Sequence, residues 1–130
     1  MTTIKVIVEY AGKNLSAYIP DAPVITVGKN LNEIRSNIQE AIDLYLEDNP
    51  SPLEMFVGEY QLELQLDAAT FINCYSGIFT KAALSHITGI NERQIWHYAA
   101  GMHRPRKQQV EKIQTGIDNL SKELSEICIR

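Results

Sequence analysis

The sequence is short of cysteine, proline, tryptophan and long apolar runs, with two cysteines, five prolines and one tryptophan in 130 residues. Cys74 and Cys128 lie 54 positions apart with no second pair, which argues against a disulfide framework and a zinc ribbon. Both are expected to be buried as small hydrophobes. No stretch approaches the roughly 18 consecutive apolar residues of a membrane span. Near the start, Lys5 and Glu9 break the apolar run of residues 4–10, and no small-residue cleavage site follows, so a secretory signal is not expected and the cytoplasm is the default address. A composition of 45% hydrophobic and 22% charged residues excludes a disordered tail and a collagen-like repeat. A chain of this length forms one compact domain or two very small ones.

The net charge of −4 hides an asymmetry, because residues 1–80 hold 4 basic and 11 acidic side chains while residues 81–130 hold 8 and 5. The halves therefore carry −7 and +3. Residues 81–112 hold 6 basic and 2 acidic side chains together with His86, His97 and His103. Phosphate responds to the local patch rather than to the whole chain, so the acidic total does not exclude nucleic acid. The acidic half suits a basic partner.

The first half reads as strands and one helix. Ile4, Val6, Val8 and Tyr10 alternate with Lys5, Ile7 and Glu9, a half-buried strand followed by a turn at residues 11–14. Leu15, Ala17 and Ile19 mark a second strand closed by prolines, and residues 24–27 a third ending at Gly28. Asn30 is placed to cap a helix, with Glu33 able to reach back to the cap's N–H. Leu31, Ile34, Ile38, Ala41, Ile42, Tyr45 and Leu46 form one stripe of a helix of about 18 residues that ends near Asn49-Pro50. Tyr60, Leu62, Leu64 and Leu66 alternate with polar residues as a fourth strand. This order predicts an α+β unit over residues 1–67, a small, mainly antiparallel sheet covered on one face by one helix.

Residues 68–130 read as all-α. Thr80 caps a helix over residues 81–88 with Ala82, Ala83, Leu84 and Ser85 as packing positions, Gly89 breaks it, and Asn91 caps the next helix, whose inward residues are Ile95 and Tyr98 or Ala99. Gly101 ends it. The segment resembles the helix-turn-helix of the lambda-repressor and Xre-like family through residues 80–85, 89–91 and Ile95, with Lys81 and Ser85 where that family has Gln and Ala. The resemblance implies a recognition helix over residues 91–101, entering the major groove with Glu92, Arg93, Trp96 and His97 outward. Arg93 can pair bidentately with guanine, Glu92 can accept from cytosine, and His97 can donate to a base acceptor or a phosphate. Thr80 and Lys81 would meet the DNA backbone, Lys81 as a charged phosphate contact, with Asn91 at the head of the recognition helix. Trp96 has three candidate neighbours: a thymine methyl, the sugar-phosphate edge or a dimer partner. His103, Arg104, Arg106 and Lys107 would lie near phosphates at the start of the following helix. The competing reading is a helical hairpin with solvated cations. The histidine spacings of 11 and 6, without a cysteine pair, do not make a metal site.

Val110, Ile113, Ile117, Leu120, Leu124 and Ile127 follow steps of 3, 4, 3, 4 and 3, a short a/d seam. Ile117, Leu120, Leu124 and Ile127 are the expected homodimer contacts, in contrast with a last helix packed wholly on its own domain. Gly116 lies beside the seam.

Residues 15–49 resemble the N-terminal domain of HicB antitoxins through Ser16-Ala17-Tyr18-Ile19-Pro20-Asp21, Pro23, Thr26, Gly28, Leu31, Glu33, Ile38, Glu40-Ala41-Ile42 and Leu44-Tyr45-Leu46. Val24-Ile25 stand where the family has a Gly-Cys pair. The resemblance implies a partly degraded RNase H-like fold, a small basic HicA-type toxin that cleaves mRNA as partner, and repression of the operon through double-stranded operator DNA. No enzyme activity, cofactor, metal or membrane is expected. A two-metal nuclease site needs convergent carboxylates, and only Glu9 and Asp21 offer themselves, each more simply a solvent-face or turn residue. The alternative function is a stand-alone transcriptional regulator whose N-terminal domain senses a ligand.

Overall fold

The structure, a computed structural model, describes residues 1–130. The alternating and helical patterns fold into β1 Thr2–Ala11, β2 Asn14–Tyr18, β3 Ile25–Gly28, α1 Leu31–Asp48, a 3-10 turn Glu54–Phe56 and β4 Tyr60–Leu66, followed by α2 Ala68–Cys74, α3 Lys81–Thr88, α4 Glu92–Ala99 and α5 Lys107–Ser125. The protein is α+β, a four-stranded mixed sheet plus five helices. It divides into two compact units, Met1–Thr70 and Phe71–Arg130, the division falling within α2. No helix is long and apolar enough to cross a membrane.

In the first unit the strand order is β3-β2-β1-β4. β1 pairs antiparallel with β2, and β2 with β3, but β4 runs parallel to β1 with Ile4 opposite Leu62, Val6 opposite Leu64 and Val8 opposite Leu66. The expected mainly antiparallel sheet is thus corrected to a mixed one. The cause is the helix: α1 carries the chain across a face of the sheet and returns it to the starting end, so the next strand must run in the same direction. Ile34, Ile38 and Ile42, four residues apart along α1, are fully buried, as are Val6 and Ala17 of the sheet. Each such isoleucine contributes about 1.5–3 kcal/mol of apolar burial.

Local contacts fix where α1 begins and what it carries. The Asn30 Oδ1 accepts from the Glu33 N–H at 2.9 Å. The Glu33 carboxylate accepts from the N–H of Lys29 at 3.3 Å, one residue earlier than the capping-box expectation. Beyond the helix, the Phe56 ring packs 5.3 Å from Tyr45 and 6.1 Å from Tyr60, and the Tyr45 hydroxyl accepts from the Leu53 N–H. Tyr10, expected inside, is exposed; it stands next to the hairpin turn, at the end of β1 where the helix-covered core has been left behind.

The helix in which the division falls is one that the sequence reading did not single out. α2 has only seven residues, too few for an amphipathic stripe to declare itself, and is started by Asp67, whose carboxylate accepts from the Thr70 N–H at 2.7 Å. Ile72 of α2 is buried, and the Asn73 side-chain amide donates to the Ala99 carbonyl at the end of α4. α5 packs against α3. At their contact a Cβ on Gly116 would lie 2.6 Å from the Ile87 carbonyl oxygen, so only glycine lets the helices approach this closely.

Three further expectations are corrected here. Cys74 is half-buried and Cys128 exposed, because Cys128 follows the end of α5 and has no core to enter. Ile127 also lies beyond α5, which is closed by N–H bonds from Glu126 and Ile127 to the carbonyls of Glu123 and Leu124; the helical seam therefore stops at Leu124. Ala82 is exposed, leaving Leu84 as the buried anchor of α3.

Replacing Gly116 by alanine should destabilise the second unit by about 1–3 kcal/mol through overpacking against backbone. Trp96 is the sole tryptophan, so the urea midpoint of its emission reports this unit. An unchanged midpoint would show that α5 can shift off α3 at no cost.

Candidate nucleic-acid interface

The surface carrying the cationic residues is held by the turn between α3 and α4. Gly89 has φ 76°, a left-handed conformation that a residue with a Cβ adopts only at a cost. Its N–H bonds back to the Ser85 carbonyl and ends α3. The buried Thr88 hydroxyl donates to the Leu84 carbonyl at 2.7 Å and accepts from the Ile90 N–H at 3.2 Å. The Ser85 hydroxyl donates to the Ile90 carbonyl. Leu84, Ile90, Ile95 and Tyr98 are buried, so one face of each short helix is committed to the core and the other is left outward.

The two capping residues keep their expected places but use their side-chain oxygens locally. The Thr80 hydroxyl oxygen accepts from the Ala83 N–H at 3.0 Å, and the Asn91 carbonyl oxygen from the Gln94 N–H at 2.8 Å. Both residues are exposed. They set where α3 and α4 begin.

Glu92 and Arg93 are exposed in the first turn of α4. Trp96 is 56% exposed. Lys81, at the first position of α3, is half-buried, and its ammonium stands 4.5 Å from the centre of the Trp96 ring. His97 is half-buried and its ring lies 5.2 Å from that of His103. Arg104, Arg106 and Lys107 are exposed, with Arg106 in the capping position of α5 and Lys107 its first helical residue. Arg106 makes no side-chain cap, so its guanidinium adds to the positive end of the helix macrodipole rather than quenching it. Residues 71–80 contain no Asp, Glu, Lys or Arg, so the charges of −7 and +3 belong to the two compact units themselves.

The structure brings Lys81 to Trp96 and His97 to His103. On α5, Ile117 and Leu120 are half-buried, while Leu124 is 57% exposed. Ile127, past the helix end, is also exposed. Glu9 and Asp21 are exposed, Asp21 in a turn with φ 65°, and no group of three or more His, Cys, Asp or Glu side chains is placed to hold a metal ion. The sequence reading missed the hydroxyl bridges of Ser85 and Thr88. A hydroxyl four residues after a buried leucine and directly before the turn glycine was the available signal.

Comparison with protein families, with curated proteins and with solved structures gives no match.

Thr88→Val keeps the side-chain shape and removes the hydroxyl, leaving the Ile90 N–H without its partner. The cost should be about 1–3 kcal/mol, measured as a loss of thermal stability in the second unit. A variant as stable as the parent would remove this hydroxyl from the account of the turn.

Proposed function

We propose that this protein is an autoregulatory antitoxin of the HicB type, whose first unit occupies a small basic HicA-type ribonuclease and whose second unit binds operator DNA as a homodimer. The observation that carries the DNA half is the exposure of Glu92, Arg93 and Trp96 on α4, with the half-buried Lys81 against Trp96, beside a turn whose Leu84, Ile90, Ile95 and Tyr98 are buried. In this reading the pair α3 and α4 is a helix-turn-helix and α4 its recognition helix, with Arg93 and Glu92 reading base edges. His97 stands next to them, and Arg104, Arg106 and Lys107 neutralise phosphates.

A charge of −7 in the sheet unit supports a basic partner, since complementary potentials steer encounter and reject like-charged competitors. The α+β organisation, with one helix laid on a small sheet, supports the partly degraded RNase H-like fold that the resemblance implies. The exposed Leu124 and the half-buried Ile117 and Leu120 support pairing of two copies through α5, with Ile127 adding apolar surface beyond the helix. A dimer also suits an operator of two half-sites. The toxin is occupied rather than chemically altered, so the protein acts by binding and needs no cofactor.

Co-expression with a small basic ribonuclease encoded beside the gene tests the first half; loss of growth despite the antitoxin would remove it. For the DNA half, Arg93→Ala should relax sequence preference at a cost of about 1–3 kcal/mol. Arg106→Ala should weaken all duplexes alike and flatten the salt slope by about one unit. Gel shifts unchanged by both would displace α4 from the groove. Leu124→Asp should yield monomers in sedimentation, and a persistent dimer would move the interface off α5.

A further inference from the structure

The sequence leaves Trp96 three candidate neighbours outside its own chain, and the structure supplies another within it: a face of the indole carries the Lys81 ammonium at 4.5 Å from the ring centre. A cation this close is held by the ring's negative face. That attraction needs no acceptor atom, so the N–H bonds directed away from the ring stay able to donate. A lysine side chain otherwise samples many rotamers, and its ordering opposes any contact it makes. Lys81 is half-buried while Trp96 remains 56% exposed, so the ammonium is held against a ring that is itself largely open to solvent.

We propose that Trp96 is a positioning residue that holds the Lys81 ammonium ready for a backbone phosphate of duplex DNA, and does not itself read a base. The inference rests on the DNA-binding reading above and deepens it, assigning to α4 a backbone-directed role next to the base-directed Arg93. The two residues lie fifteen positions apart on different helices, so the pair exists only when the α3–α4 turn is formed. It couples the cation's placement to correct folding of the recognition surface. Because the contact is with phosphate, its loss should act equally on every sequence.

The test uses the full chain and a labelled random-sequence duplex, with affinity followed by fluorescence anisotropy across a salt series. Lys81→Met should weaken binding about tenfold and reduce the slope of log K against log salt by about 0.9. Trp96→Leu should weaken it several-fold, Trp96→Phe should restore most of the loss, and the Lys81→Met, Trp96→Leu double variant should bind no more weakly than Lys81→Met alone. Without DNA, the Lys81 side-chain methylene protons should show an upfield ring-current shift that Trp96→Leu abolishes. Parental affinity in Trp96→Leu, losses that multiply in the double variant, altered sequence preference, or no ring-current shift would each overturn the proposal. If the parent protein binds no duplex at low salt while the ring-current shift is present, the DNA-binding reading fails instead and takes the phosphate role with it.

Discussion

The second unit depends on how the backbone gets round Gly89. A glycine alone permits the left-handed conformation there without selecting where the next helix goes. Direction comes from the two hydroxyls that tie the end of α3 to Ile90, one to its N–H and one to its carbonyl. With both backbone groups of Ile90 bonded, its side chain is buried, as are those of Leu84 and Ile95, and α4 starts where Asn91 caps it. Buried backbone groups left unbonded would cost more than the hydroxyls' own burial. Ser85 is thus more than a small residue tolerated at a crossing, because it supplies one of the two ties.

The units answer to different constraints. In the first, aliphatic residues of one helix stripe meet the inward residues of a sheet, and nearly all the charged side chains are left outside, mostly acidic. In the second, burial is spread over short helices, including a glycine-mediated approach of α5 to α3. The outward face there is rich in arginine and lysine. This division matches the two kinds of partner proposed, one basic and one polyanionic, and the sequence alone separates them because no charged residue interrupts residues 71–80.

What could be read from the sequence was whatever is written locally. The limits of α1 were legible because a cap, an apolar stripe and a proline all act within a few residues of one another. The caps Thr80 and Asn91 and the buried Leu84, Ile90 and Ile95 were legible for the same reason. The direction of β4 was not, since alternation has period two whether the neighbour runs parallel or antiparallel; only the intervening helix decides it. α2 escaped notice through its length. The Lys81–Trp96 contact and the role of Gly116 depend on which helices meet, a tertiary fact without a local trace. The exposed Cys128 and Ile127 show the same limit from the other side: apolar residues at regular spacing read as core until the helix is seen to have ended.

The strand order leaves β3 and β4 as the two margins of the sheet, and they are protected differently. On the β4 side the residues facing away from α1 are Gln61, Glu63 and Gln65, and a carboxylate in the middle of a strand discourages a second chain from zipping onto it. On the β3 side the strand is only four residues long, and the Val27 carbonyl is already bonded by the Asn37 amide of α1. Ile25 and Val27 stay open to water there without offering a long template, so the fold tolerates apolar surface at its rim while resisting runaway aggregation.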